Sequence, residues 1–355
     1  MAWSDIGRRI GAGALTIVCG VMLLGCTGQP VEPYSETTPP IVLATIASAD
    51  VRDLRAPYRD AVCRRTAADD RACADVLLRL PGEGERSAAS VPEDLAQRYR
   101  VAFVPGFFSE CFDRFVRPFA DVERHLKDEG YTVDYFRVAG RGTTAQNAAR
   151  LAEHFSSLNS DPRPIIVFAY SKGLPDVLEF VVRFPIAAQR VAAIVAVAGA
   201  ANGSPLADNL SSVYRDWVAA FPLPGCEAGT GDEIHDLRPD VRLEWWRQNR
   251  AAVNVPVFSL VAAPRPDRVS PGTRATYRKL SQIDPRNDGK LLWYDQIVPG
   301  GYLLGYANAD HWAIAMPVAK EFPGFRFLFR DDAPRIALIE AAIEIVAGVL
   351  AANPK

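Results

Sequence analysis

A serine, an acid and a histidine stand in that order along this 355-residue chain, with a glycine turn well ahead of them. The serine lies in Ile165-Ile166-Val167-Phe168-Ala169-Tyr170-Ser171-Lys172-Gly173, which reads as a short apolar strand, a sharp turn and the start of a helix. That is the layout of a nucleophile elbow, G-x-S-x-G, written here as A-x-S-x-G because Ala169 takes the first glycine position. Small residues two before and two after the serine keep strand and helix from clashing.

A serine hydroxyl is a poor nucleophile at neutral pH. It needs a base beside it, an acid to orient the base, and donors for the oxyanion. Of the chain's four histidines, His125 and His154 fall inside helical patterns ahead of the elbow, and His235 sits in a polar stretch beside Asp232, Glu233 and Asp236. His311 follows the last apolar strand, in Asn308-Ala309-Asp310-His311-Trp312, and is the expected base. The acid must lie between Ser171 and His311, on a loop after a late strand, where the candidates are Asp267, Asp284, Asp288 and Asp295. Asn287-Asp288-Gly289 is a turn signature that can aim a carboxylate inward, so Asp288 is expected and Asp295 is second. The oxyanion donors are expected to be backbone N–H groups of Lys172, next to the nucleophile, and of Phe107 after Gly106, with Phe108 in reserve. The Lys172 side chain is expected to be solvated.

These groups need a scaffold. Tyr99 to Val104 reads as a strand running into the Gly106 turn, and Arg114 to Glu129 as a helix stopping at Gly130. Tyr131–Phe136 is the next strand, Thr144–Leu158 a helix, Ile165–Tyr170 the elbow strand, and Gly173 to about Arg183 its helix. Val191–Val197 and Val255–Ala262 are continuous apolar runs, as strands buried on both faces require. Leu291–Trp293 and Tyr302–Tyr306 are shorter strand candidates. Ala333–Ala351 closes the chain as a helix with Asp332 as N-cap. Strands alternating with helices predict a mostly parallel sheet covered on both faces, with ligands bound beyond the strands' carboxyl ends. Residues 203–250 break the alternation. Their Trp217, Phe221 and Leu243-Glu244-Trp245-Trp246 read either as a lid-like insertion or as a packed excursion.

With these motifs in place the chain resembles the α/β-hydrolase superfamily, and within it bacterial lipase- and esterase-like members. The resemblance covers roughly residues 98–351 and rests on Phe103-Val104-Pro105-Gly106-Phe107, Ala169-Tyr170-Ser171-Lys172-Gly173, Gly203-Ser204-Pro205-Leu206-Ala207-Asp208, and Asn287-Asp288-Gly289 ahead of His311. It implies an α/β-hydrolase fold and serine-dependent hydrolysis of small-molecule or lipid esters without metal or organic cofactor. The alternatives are an acyltransferase using the same triad and a non-catalytic binding lipoprotein on the same fold. Two departures stand out: Pro105-Gly106 replaces His-Gly at the oxyanion loop, and Ala169 replaces glycine in the elbow.

The first residues address the chain rather than fold it. Arg8 and Arg9 precede an apolar run ending Leu23-Leu24-Gly25-Cys26. This resembles a bacterial lipobox, which implies a signal peptide over 1–25, lipidation of Cys26 and a membrane anchor. Thr27 after the cysteine favours the outer membrane, facing the periplasm. Residues 26–40 read as a tether, and 41–97 as a helical N-terminal extension packed on the main domain. Without residues 1–25, which hold Arg8, Arg9 and Asp5, the chain carries 38 basic and 41 acidic residues. That balance suggests no nucleic-acid partner. Cys63, Cys73, Cys111 and Cys226 follow Cys26, an even set expected to form disulfides in an exported chain, Cys63 with Cys73 and Cys111 with Cys226. No cysteine or histidine spacing matches a zinc site.

Overall fold

The computed structural model describes residues 31–35, 50–67, 72–84, 94–112, 116–158, 161–208, 226–321 and 323–353. Residues 1–30, with the expected signal peptide and Cys26, lie outside them, as do residues 209–225 with Trp217 and Phe221.

The apolar runs become an eight-stranded sheet. Its strands are β1 (Arg52–Asp53), β2 (Leu77–Leu78), β3 (Arg100–Val104), β4 (Val133–Tyr135), β5 (Ile165–Tyr170), β6 (Val191–Val197), β7 (Val257–Ala262) and β8 (Tyr302–Ala307). The order is β1-β8-β7-β6-β5-β3-β4, all parallel, with β2 added antiparallel to β8. This is an α/β-hydrolase fold with helices on both faces.

Strand alternation divides the core in two. Val101, Phe103, Ile166, Phe168, Tyr170, Val195 and Val197 face one layer, packed with Tyr58, Val62, Phe119, Val122, Ile343 and Val346 of the helices α1 (Arg55–Thr66), α2 (Ala120–Asp128) and α6 (Arg335–Ala352) and the turn into α2. Ala102, Val104, Val167, Ala169, Ile194 and Ala196 face the other, against Leu151, Phe155, Leu174, Leu178 and Phe180 of α3 (Thr144–Ser157) and α4 (Gly173–Arg183). At about 25 cal/mol per Å² of apolar surface removed from water, this two-sided burial is the main stabilising term. Thr143 starts α3 with a reciprocal capping box, its hydroxyl accepting from Gln146 N and the Gln146 side chain accepting from Thr143 N. Gly130, with φ +86°, supplies the left-handed turn after α2.

Several elements differ from the sequence expectation. The region 41–97 is not purely helical, since β1 and β2 pair with opposite halves of β8. Leu77 and Leu78 are fully buried there, so pairing to an open sheet edge outweighs their helical neighbourhood. Part of the expected tether is also docked. Val31 bridges to Arg79, Glu32 pairs with Arg265, and Tyr34 stacks on Trp293 with centroids 5.6 Å apart. Leu291–Trp293 is no strand; a 3₁₀ turn spans Trp293–Gln296 and buries Trp293 completely. The helix expected from Arg114 begins at Ala120. Asp332 does not cap α6, whose N-cap is Pro334; its carboxylate takes Arg268 and Arg330 instead. Disulfides join Cys63 to Cys73 and Cys111 to Cys226.

Within residues 203–250, Trp245 and Trp246 belong to helix α5 (Pro239–Asn249). Trp246 is buried in the α3/α4 layer and donates from Nε1 to Ala201 O, and Trp245 Nε1 donates to Glu179 Oε2. Through these tryptophans this half of the insertion is fastened to the body. Ala207, Ile234 and Leu237 instead meet Phe107 and Phe108 in the loop after β3.

Candidate active site

Parallel strands β3 and β5 end side by side, with Val104 paired to Ala169. The loops beyond both ends are therefore brought together. Ser171 is the first residue past β5 and has φ +54°, a left-handed conformation that a non-glycine residue holds only under surrounding constraint. Its N–H donates to Val197 O at 3.2 Å, and its carbonyl accepts from Leu174 N and Ala200 N. Those bonds present the side chain outward at the head of α4. Two glycines make room. A Cβ on Gly173 would lie 2.6 Å from Pro105 O and 2.7 Å from Val104 O, and one on Gly106 would lie 2.7 Å from Ser171 Cβ. Ala169 is fully buried between Val104 and Ala196, where a methyl group is accommodated.

His311 Nε2 lies 2.9 Å from Ser171 Oγ, and His311 Nδ1 lies 2.7 Å from Asp288 Oδ2. A carboxylate only accepts, so the Nδ1 proton points at Asp288 and the bare Nε2 faces the serine hydroxyl. His311 is held from three further sides. Its N–H donates to Asp288 O at 2.9 Å, its carbonyl accepts from Tyr170 Oη at 2.7 Å, and the Tyr170 ring lies against the imidazole at 5.1 Å. Burial pushes the Tyr170 hydroxyl well above its ordinary pKa, so it stays a donor.

The Asn287-Asp288-Gly289 turn performs the aiming expected of it. Asp288 is fully buried, and its Oδ1 accepts from Lys290 N and Leu291 N, both at 2.7 Å. Asn287 Oδ1 accepts from Gly289 N at 3.0 Å, and Gly289 takes φ +89°. Asp295 does not meet His311. Burial holds its carboxyl well above the usual range, and Oδ2 has no hydrogen-bond partner among the described residues. Asp284 is also buried, and Asp267 lies on a 3₁₀ turn. The other histidines are elsewhere: His125 pairs with Glu340, His154 stacks on Phe136, and His235 is exposed.

In the loop after β3, Phe108 N–H donates to Gly140 O at 2.9 Å, and Phe107 directly follows Gly106. Lys172 differs from expectation. Its side chain is buried, with Nζ 2.7 Å from Asp176 Oδ1, because α3 packs over the first turn of the elbow helix α4. Two residues that sequence reasoning passed over hold the His311 turn: Tyr170 and Asp310. Asp310 is fully buried and accepts from Ser270 N, Thr273 Oγ1, Trp312 N and Ala313 N, so it ties the His311 turn to a neighbouring loop. The only sequence signal for it was its place next to His311. Among the described residues the one trio near enough to share a metal ion is Glu110, Cys111 and Cys226, and its two sulfurs are joined to each other.

The chain is 32% identical to the metagenomic carboxyl esterase MGS0156, whose crystal structure matches it with a TM-score of 0.79 over 87% of this chain and 98% of that one. The chain belongs to the carboxyl esterases of the α/β-hydrolase fold. The mature form of the Bacillus licheniformis lipase BlEst2 matches at 19% identity and TM-score 0.50 over 64% of this chain and 89% of that one. Its propeptide form matches at 18% identity and TM-score 0.51 over 70% and 53%. These two show the shared fold. No family model matches the chain, and no curated protein does. The likeness supports ester hydrolysis as the chemistry of this chain.

Proposed function

We propose that this esterase works through a serine-bound acyl intermediate, with Ser171 as nucleophile, His311 as base and then acid, and Asp288 as the orienting carboxylate. The observation that carries the reading is the unbroken line from Asp288 through His311 to Ser171, with steps of 2.7 and 2.9 Å. The Ser171 proton moves to His311 Nε2 as Oγ attacks the ester carbonyl. The negative charge then forms on the carbonyl oxygen, between the N–H groups of Phe107 and Lys172. Collapse expels the alcohol, which takes the proton from His311, and water repeats the sequence to release the acid. Each oxyanion donor is worth about 3 kcal/mol of barrier in such sites.

A fluorophosphonate probe should label the folded wild type and leave Ser171→Ala and heat-denatured protein unlabelled. Asp288→Asn should lower kcat for an aryl ester by about 10⁴ with the fold intact, while Asp295→Asn leaves it within a few fold. A folded wild type that takes no label, or the reverse pattern for the two aspartates, refutes the assignment.

We also propose that Cys26 carries a lipid anchor holding the enzyme in a bacterial envelope, at the outer membrane and facing the periplasm. The lipobox-like Leu23-Leu24-Gly25-Cys26 supports it. No helix of the described residues is long and apolar enough to cross a membrane. Because Val31 is docked on the body, a fully extended chain from Cys26 would span at most ~18 Å, which keeps the catalytic domain close to the bilayer. Intact mass of protein from membranes tests this: a lipid-modified Cys26 at the mature N-terminus is expected, and an unmodified or differently cut N-terminus refutes it.

A further inference from the structure

Behind the elbow lies a buried polar line that ester hydrolysis as described does not use. Asn147 on α3 is fully buried. Its Oδ1 accepts from Ala139 N at 2.9 Å, and its Nδ2 donates to Ala139 O at 3.1 Å and to Asp176 Oδ2 at 2.7 Å. Ala139 N–H can only donate, so the orientation of the Asn147 amide is fixed. The other oxygen of Asp176 takes the Lys172 ammonium at 2.7 Å, and both side chains are 1% exposed. At the far end, Gly140 directly follows Ala139, and its carbonyl accepts Phe108 N–H at 2.9 Å. A Cβ on Gly140 would lie 3.0 Å from the Phe108 backbone. The line therefore runs from the loop carrying Phe107, through Gly140, Ala139, Asn147 and Asp176, to Lys172. Its two ends are the two oxyanion arms of the proposed mechanism.

We propose that Asn147 and Asp176 are positioning residues that, through Ala139–Gly140 on one side and Lys172 on the other, set the spacing of the Phe107 and Lys172 N–H groups around the oxyanion. This rests on the serine-hydrolase reading above. The direct contacts between the arms are van der Waals approaches at Gly106 and Gly173, which prevent separation from shrinking further. The polar line resists the opposite motion, since its hydrogen bonds and its buried ion pair break if the arms spread. Such a burial is costly for a charge pair unless every atom is partnered, and here the amide of Asn147 supplies the second partner of Asp176. Arg242 and Asp236 are the other charged groups whose fields reach Asp176 from the insertion. The role concerns charge that exists only in the transition state, so it acts on kcat and leaves ground-state binding alone.

The test is steady-state hydrolysis of a short-chain aryl ester, together with inhibition by a trifluoromethyl ketone, whose adduct with the serine carries the oxyanion. Asn147→Ala and Asp176→Asn should each lower kcat about 10- to 100-fold, less than loss of a donor itself. KM should stay within about twofold, and the ketone Ki should rise by the same factor as kcat falls. A purely structural role would lower the melting temperature without that parallel. Should either single variant fail to fold, Lys172→Met with Asp176→Leu replaces the pair by apolar groups of similar volume, an exchange that buried pairs often tolerate. The double variant should then fold and show the same loss. Wild-type kcat in any folded variant, or a kcat loss without a matching rise in Ki, overturns the proposal. Absence of both turnover and fluorophosphonate labelling in the wild type would instead overturn the serine reading on which it stands.

Discussion

A methyl group on Gly106 would sit 2.7 Å from Ser171 Cβ and 3.2 Å from its Oγ, closer than carbon and oxygen atoms pack. Gly106→Ala should therefore displace the Ser171 side chain. We expect kcat to fall about 10²-fold, the penalty for a misplacement near 1 Å, with overpacking costing roughly 1–3 kcal/mol of stability. Kinetics beside a denaturant titration would check it, and wild-type kcat would contradict the described close approach. Asp295 offers a second test at this scale. Burial raises its folded pKa above the ordinary 3.8. The folded state then binds more protons than the unfolded state between those two values, so stability falls as pH rises through that window. Asp295→Asn removes this titration. Relative to that variant, the wild type should be most stable below pH 3.8 and lose ground as pH climbs past it; a difference that stays flat with pH would show that Asp295 titrates normally.

Elements bring the triad together. β5 delivers Ser171, the turn at 287–291 delivers Asp288, and the turn after β8 delivers His311. That last turn depends on Asp310, whose carboxylate closes four hydrogen bonds to Ser270, Thr273, Trp312 and Ala313. Asp310→Ala leaves those donors buried without their acceptor. At about 1–3 kcal/mol for an orphaned buried group, the variant should lose at least ~2 kcal/mol of unfolding free energy, and kcat should fall as the His311 turn loosens. A urea midpoint unchanged from wild type would argue against this. At the same scale, helix α5 shows why residues 203–250 are more than a cover. Its Trp246 fills the α3/α4 layer, whereas Ala207, Ile234 and Leu237 reach the loop after β3.

Across the whole molecule the N-terminal region completes the sheet edge. β1 and β2 cover β8, and α1 packs on α6 with Arg64 and Arg65 paired to the buried Glu344. Two disulfides fasten this architecture at different ranges. Cys63–Cys73 closes 10 residues, while Cys111–Cys226 closes 115 and ties the short helix Ser109–Phe112 to the insertion. By chain entropy the short loop is worth about 3 kcal/mol and the long one nearly 5. Replacing Cys111 and Cys226 by Ser should thus lower the melting temperature more than replacing Cys63 and Cys73. The opposite ranking would mean that local strain or residual structure outweighs loop closure.

What the sequence determined by itself follows from local chemistry. Continuous apolar runs made β5, β6 and β7 legible, since a strand buried on both faces needs no polar alternation. Ser171, Asp288 and His311 were legible because an elbow, an N-D-G turn and a post-strand histidine each leave a signature within a few residues. The disulfides were legible as an even set of cysteines, two of them close together in one stretch. Tertiary structure decided the rest. Leu77 and Leu78 became a strand because β8 offered an open edge, and Leu291–Trp293 did not because Trp293 was wanted in the core. Asp288 and Asp295 differ little as letters. They part company only where one finds three donors and the other burial with an unpartnered oxygen. Lys172 looked like a surface cation, but Asp176 takes its ammonium and Asn147 of α3 closes over Asp176. His311 meets Asp288 and Ser171 across 23 and 140 residues, and no window of neighbouring residues contains both contacts.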